Sequence, residues 1–141
     1  MTYPVDMKIQ PEVSAHFDTA TNTISFGTGS STGVLELQAG ATTFSALLNA
    51  ANESGTILVE PAGLGAGVTH TIGATTLGGG KTLTVKPGYY AITGTAQLTM
   101  ASATMTGAAT LSLVNNSPFV TTAINTGALS MAGNNLTTTG A

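Results

Sequence analysis

The sequence predicts an all-β protein whose short strands stack as a β-solenoid, a right-handed β-helix, capped by one amphipathic helix and preceded by an N-terminal arm. Three observations support this fold class. Charged residues make up only 6% of the 141 residues and hydrophobic residues 42%, so the chain has apolar surface to bury. Segments rich in Thr, Val, Ile and Leu alternate with Gly, Asn and Ser. A Thr-Gly dipeptide also recurs along the second half of the chain. An antiparallel β-sandwich or jelly roll is the alternative.

Residues 1–33 are predicted to form the N-terminal arm, separate from a β body at 34–141. Residues 1–26 hold four of the nine charged residues and two of the five prolines. Two short strands, Ala15–Phe17 and Thr23–Phe26, with a Thr/Asn/Ala turn between them, indicate a hairpin. The Gly/Ser-rich run Gly27–Gly33 is typical of a flexible joint, which places the boundary there.

The segment near 43–54 is predicted to be the capping helix. Thr42 or Thr43 can accept hydrogen bonds from the first amides, and Gly55 stands where a helix commonly ends. Apolar residues recur with the i, i+3, i+4, i+7 spacing of a helical face. They are Phe44, Leu47, Leu48 and Ala51.

The rest of the body is predicted to consist of short strands separated by turns. The Thr-Gly dipeptide begins at positions 93, 106, 126 and 139, so alternate copies share one interval of 33 (126 − 93 and 139 − 106). Coils of roughly 20–25 residues would give two or three coils after Pro87. The predicted strands are Thr56–Val59, Thr69–Ile72, Thr82–Val85, Tyr89–Ile92, Ala96–Met100, Ala109–Leu113, Phe119–Ile124, Ala128–Met131 and Leu136–Thr138.

Two stretches resemble known families. The order "FSALLNAANESGTILVEPAG", within residues 41–100, resembles the N-terminal cap and first coil of pectate-lyase-like right-handed β-helices, which include many phage tailspikes. The likeness implies a helix that plugs the solenoid end, although the tyrosine that often follows the Pro-Ala-Gly turn is absent. The segment "MKIQPEVSAHFDTATNTISF" is similar to the opening hairpin of persulfide-dioxygenase-like proteins of the metallo-β-lactamase fold. With only His16 and His70 in the chain, their metal site does not carry over.

No pattern in the sequence indicates a catalytic, cofactor or metal site. Gly80-Lys81-Thr82 imitates the end of a phosphate-binding loop, but Thr75 replaces the first glycine and a strand-like pattern follows instead of a helix. The segment from Pro87 to Ala141 contains no charged side chain and no histidine. The carboxylates Glu36, Glu53 and Glu60 lie in the predicted capping region. We therefore expect no enzyme activity, no cofactor and no metal.

Three polar or aromatic features have weaker functional interpretations. His70 is expected to share the polar face of Thr69 and Thr71, as a surface or hydrogen-bonded residue rather than a metal ligand. Tyr89 and Tyr90 could stack on a sugar, although one of two adjacent strand residues normally faces the core. A regular Thr ladder could bind ice, and "LGGGKTLTVKPGYYAITGTAQLT" is similar to a stretch of bacterial ice-binding β-solenoids. However, Thr82-x-Thr84 and 137–139 are not expected to form a register repeated in successive coils.

The sequence favours a non-enzymatic structural protein of a virion, specifically a phage capsid decoration protein or short fibre. A solenoid of few coils leaves edges that assembly would cover, which favours a homotrimer bound to the major capsid protein or another virion protein at the capsid surface. Three scattered lysines and no arginine disfavour nucleic acid, and no apolar run is long enough for a membrane span. The alternatives are a carbohydrate-binding tailspike module and a secreted, extracellular adhesin or ice-binding domain.

Overall fold

The computed structural model describes residues 7–9, 15–18, 22–26 and 33–140, and these form fifteen β-strands without a helix. Within these ranges there is accordingly no helix long and apolar enough to cross a membrane. In chain order the strands are β1 (Met7–Ile9), β2 (Ala15–Asp18), β3 (Thr23–Phe26), β4 (Gly33–Gln38), β5 (Thr42–Thr43), β6 (Leu47–Ala50), β7 (Gly55–Glu60), β8 (Gly65–Ala66), β9 (Thr69–Leu77), β10 (Lys81–Pro87), β11 (Ala91–Met105), β12 (Ala109–Leu113), β13 (Val120–Asn125), β14 (Ala128–Ser130) and β15 (Leu136–Gly140).

The chain winds between two sheets as a parallel β-solenoid of about four turns. The first sheet has the order β1-β4-β7-β10-β12-β15, and the second has the order β13-β11-β9-β6-β3-β2. Within each sheet the neighbouring strands are parallel except the outermost N-terminal pair, β1–β4 in the first and β2–β3 in the second. The predicted solenoid is therefore confirmed, and the strand pairing is not that of an antiparallel sandwich.

The structure corrects the predicted repeat length. Gly55 pairs with Leu83, and Leu83 pairs with Leu111, so the two central coils share a period of 28 (83 − 55 and 111 − 83). The first coil, from Gly33 to Gly55, is shorter, with a period of 22 (55 − 33). The Thr-Gly interval of 33 is wrong as a coil length, because Gly94 pairs with Val120 rather than with the glycine of a later copy. The expected coil length of roughly 20–25 residues describes only the first turn.

The predicted capping helix near 43–54 is absent. The segment forms strands β5 and β6 with a non-helical link, and its side chains alternate between the core and solvent. Leu47 is 39% exposed, whereas Leu48 beside it is buried, which is the two-residue period of a strand. The sequence fits both periods, and pairing of β6 with β3 and β9 selects the strand. The buried positions are Phe44, Ala46, Leu48 and Ala50.

The N-terminal strands join both sheets. β1 pairs with β4 in the first sheet, and β3 pairs with β6 in the second. Ile24 and Phe26 belong to the same buried cluster as the body residues. The Phe26 ring packs directly on Gly33 and Gly55, where no side chain would fit beneath it. Residues 27–32 of the predicted joint lie outside the described residues, and the division of the chain at residue 33 remains a prediction.

Most of the other predicted strands are present. Thr23–Phe26 and Ala109–Leu113 are observed with the predicted bounds. Thr69–Ile72 and Ala96–Met100 are parts of the longer strands β9 and β11. Tyr89 and Tyr90 form a turn before β11 instead of starting a strand. Several observed strands are therefore longer than the predicted segments.

Candidate functional site

The glycine-rich stretch of the apparent phosphate-binding loop is a turn between β9 and β10. Gly79 and Gly80 have positive φ values of 63° and 70°. A Cβ on Gly79 would collide with the Ala51 carbonyl of the preceding coil. Lys81 begins a strand, so there is no helix N-terminus to bind phosphate. The turn connects two coils, as the strand-like pattern after it predicted.

The three carboxylates occupy different structural settings. Glu36 lies on β4, Glu53 lies in the bend before β7, and Glu60 is the buried last residue of β7. Glu60 Oε2 accepts a hydrogen bond from the Tyr90 backbone N–H at 3.0 Å. This carboxylate thus holds the turn of the next coil. The described residues contain no group of three His, Cys, Asp or Glu side chains that could hold a metal ion.

His70 is fully buried and hydrogen-bonded, so its predicted place on the polar face of Thr69 and Thr71 is wrong. Its neighbours Thr69 and Thr71 point away from the core because side chains alternate along β9. The ring packs edge-on against Phe44 with centroids 5.3 Å apart, and its Nε2 lies 2.9 Å from the Glu60 carbonyl oxygen. Nδ1 has no hydrogen-bond partner among the described residues.

Burial lowers the pKa of His70 from 6.5, because the charged ring would lose its hydration. The backbone carbonyls of Glu60, Thr42 and Leu37 oppose this shift. The ring is therefore a buried core residue whose Nε2 lies within hydrogen-bond distance of the Glu60 carbonyl oxygen. Nothing around it forms a catalytic pair or a metal site within the part of the chain that the structure describes.

A regular array of hydroxyl side chains lies on the outward face of the first sheet, from β7 to β15. Thr82, Thr110 and Thr137 pair in register on β10, β12 and β15. Thr56, Thr84, Ser112 and Thr139 form a second column in the same register. Ser54 extends the first column, since its Oγ accepts the Thr82 N–H at 3.0 Å. We call this set the hydroxyl array: Ser54, Thr56, Thr82, Thr84, Thr110, Ser112, Thr137 and Thr139.

The hydroxyl array corrects the expectation that the Thr-x-Thr elements would not repeat from coil to coil. The residues between the two columns, such as Leu83 and Leu111, point into the core. Neighbouring strands are about 4.8 Å apart and alternate residues on a strand about 6.6 Å apart, so the array forms a two-dimensional grid. The array is not evident from the sequence, because Thr110-x-Ser112 departs from the Thr-x-Thr pattern and no repeated motif marks the coil period.

A second surface feature is an open groove of about 410 Å³ between the turns of two successive coils. We call it the Tyr89 groove. Tyr89 is 83% exposed and Phe119 is 72% exposed, although aromatic side chains usually bury most of their surface. The groove therefore presents two uncovered rings. Its lining consists of Gly88, Tyr89, Ala91, Ile92, Asn116, Ser117 and Phe119, without a charged side chain.

Hydrogen bonds fix both walls of the Tyr89 groove. On one wall, the buried Glu60 carboxylate holds the Tyr90 N–H, and the Tyr89 and Tyr90 rings meet edge-on at 5.5 Å. On the other wall, Asn116 Nδ2 donates to the Pro87 carbonyl at 2.7 Å, and the Phe119 N–H donates to Ser117 Oγ at 3.2 Å. The groove is thus built by contacts between coils rather than by loose loops.

Comparisons with known proteins give no relative. No family model, no curated protein and no solved structure matches this chain. The resemblances to tailspikes, persulfide dioxygenases and ice-binding solenoids therefore rest on the quoted sequence stretches alone.

Proposed function

We propose that the chain is a non-enzymatic structural protein of a virion, a phage capsid decoration protein or short fibre that assembles as a homotrimer and stabilises the particle. The observation that supports this role is the difference between the two ends of the solenoid. At the N-terminal end the outermost strands, β1 and β2, are antiparallel to their neighbours and only three and four residues long, so they present a short edge. At the other end β15 is the outermost described strand of the first sheet, and an open edge of this kind favours pairing with another chain.

Low charge also supports a role in assembly. Stacked coils place identical positions about 4.8 Å apart, where like charges would repel one another. The described outward positions of the first sheet are mainly hydroxyl or aliphatic, and Glu36 and Lys86 are charged exceptions on β4 and β10, so most of this face could meet a neighbouring subunit without like-charge repulsion. The N-terminal residues, which hold four of the nine charges, supply polar groups for contact with a capsid protein.

Two measurements test the virion role. Sedimentation velocity should give the mass of a trimer, and the protein should co-sediment with undecorated capsids of the phage that encodes it. Bovine serum albumin mixed with the same capsids is the control for trapping. A monomer that leaves all capsids unbound would contradict the proposal, as would a gene lying among export genes instead of beside a major capsid gene.

The hydroxyl array favours a second candidate function, binding to ice. Regularly spaced hydroxyls on a β-sheet can hold a layer of ordered water, and an ordered layer can join the surface of a crystal. The array repeats over β7, β10, β12 and β15, so the layer would extend across four coils.

The ice-binding candidate is tested by thermal hysteresis and by inhibition of ice recrystallisation. Thr110→Lys should abolish both effects, because it places a long charged side chain in the middle of the hydroxyl array. Thr99→Lys, on the second sheet, is the matched control and should retain them. Equal behaviour of the two variants, or a wild-type protein without effect on ice, would remove this candidate.

A further inference from the structure

The Tyr89 groove has features of a ligand site that neither assembly nor ice binding requires. Its volume of about 410 Å³ falls in the roughly 300–1,000 Å³ range of small-molecule sites. Two exposed rings, Tyr89 and Phe119, come from successive coils and stand on walls fixed by hydrogen bonds. Two uncovered aromatic rings beside one groove are suited to a flat ligand with an apolar face.

The polar groups of the groove indicate which hydrogen-bonding groups the edge of that ligand should carry. Asn116 uses one amide hydrogen on the Pro87 carbonyl, which leaves its Oδ1 able to accept a hydrogen bond and its second hydrogen able to donate one. The Tyr89 phenol and Ser117 hydroxyl can both donate and accept. The ligand should therefore carry hydroxyls around its edge, with donors and acceptors in similar number.

The charged groups in and near the groove restrict the net charge of the ligand. The lining has no lysine or arginine to bind a phosphate, sulfate or carboxylate. The Glu60 carboxylate lies directly behind the Gly88–Tyr90 wall, with Gly88 packed against it. Both observations disfavour an anion and agree with an uncharged ligand.

We propose that the Tyr89 groove binds a neutral saccharide. The C–H faces of pyranose rings stack on Tyr89 and Phe119, and the hydroxyls at the rim of the sugar meet Asn116 and Ser117. This inference stands apart from the virion role, because a saccharide can be bound whether or not the protein reaches a capsid.

Affinity electrophoresis and titration calorimetry test the proposal with defined probes. The full chain is run through gels containing dextran, pullulan or galactomannan, all neutral, and through gels containing alginate, which is anionic. At least one neutral polysaccharide should retard the protein, and alginate should not. Tyr89→Ala and Phe119→Ala should each weaken binding at least tenfold. Leu64→Ala removes an exposed apolar side chain outside the groove and should leave affinity unchanged.

Sedimentation of the same variants shows whether the Tyr89 groove binds a sugar or contacts a second subunit. Circular dichroism of both alanine variants should match that of the wild type, because both rings are exposed. Failure of all neutral probes, equal retardation by alginate, or full binding by Tyr89→Ala would overturn the proposal. If instead Tyr89→Ala dissociates an oligomer and no probe binds, the groove is covered by a second copy and the saccharide is excluded.

Discussion

The two ends of the solenoid are built differently. At the N-terminal end, strands β1 and β2 run antiparallel to their neighbours, and the Phe26 ring fills the space over Gly33 and Gly55. At the opposite end, the inward-facing Ile124, Leu129 and Leu136 are only partly buried. The outermost N-terminal strands β1 and β2 are only three and four residues long, and short edge strands give another chain little to pair with, whereas β15 has five residues.

This difference indicates that the last coil buries less apolar surface than the coils before it. The first coils bury large side chains completely, among them Ile24, Leu35 and Phe44. Each such side chain contributes roughly 1.5–3 kcal/mol by leaving water. The last coil retains contact with solvent on its inward face, so it contributes less and depends more on whatever covers it. Four experiments test the packing of the N-terminal coils and its contrast with the last coil, beginning with the largest expected effect.

Removing residues 1–26 should abolish cooperative folding, because it takes away Ile24, Phe26 and the strands that cover the first coil. Circular dichroism and thermal unfolding provide the measurement. Removing residues 132–141, which include β15, is the comparison at the other end and should lower the Tm while keeping the β spectrum. Should the chain without residues 1–26 melt like the wild type, the N-terminal arm would be a separate unit, as the sequence pattern indicates.

Leu48→Asp should destabilise the protein by several kcal/mol, because it buries an unpaired carboxylate. Leu47→Asp is the matched control on the adjacent residue, which points outward and should change the free energy of unfolding by less than about 1 kcal/mol. Urea titration of both variants gives the difference. Equal losses would indicate that both leucines lie on one apolar face, as they would in a helix.

Leu35→Ala should cost about 2–5 kcal/mol of unfolding free energy, the usual range for a buried leucine. Leu136→Ala removes the same atoms at the open end, where the site is half-buried, and should cost less than about 1.5 kcal/mol. Chemical denaturation at one protein concentration compares them directly. A larger loss for Leu136→Ala would mean that the last coil is covered and as well packed as the first.

His70 should make the N-terminal half sensitive to acid. Because burial holds its folded-state pKa below 6.5, the unfolded chain binds the proton more readily as the pH falls. Stability is therefore complete above about pH 6.5 and decreases as the pH drops from there toward the lowered folded-state pKa. Urea unfolding between pH 8 and 5 measures this slope. His70→Leu should flatten it, and an unchanged slope would assign the effect to other groups.

The sequence was sufficient to predict the stacking of short strands but not how residues group on their faces. Val, Ile, Leu and Thr in segments such as Ala109–Leu113 have one favoured structure, so that strand was predicted with its observed bounds. The stretch from Phe44 to Ala50 satisfies both the helical and the strand period, and only the neighbouring coils decide between them. His70 could have been placed correctly, since alternation puts it opposite Thr69 and Thr71.

The functional surfaces were harder to foresee because each combines residues that lie one coil apart in the chain. Thr82, Thr110 and Thr137 become neighbours only when the coil length is known. The Tyr89 groove joins two turns from successive coils, and neither turn has a distinctive motif. Successive coils share spacing and inward-facing apolar positions but few identities, so no repeat search based on identical dipeptides finds the period.

The equal length of the two central coils makes a coil an exchangeable module. A tandem duplication of the segment 83–110 would insert one complete coil and leave every later strand in its present register. Such an event would lengthen the column by about 4.8 Å and add one more row to the grid of hydroxyls. The shorter first coil cannot be copied in this way, because each copy would require another Phe26 to cover its paired glycines. The solenoid can thus lengthen by duplication of a central coil but not by duplication of its first coil.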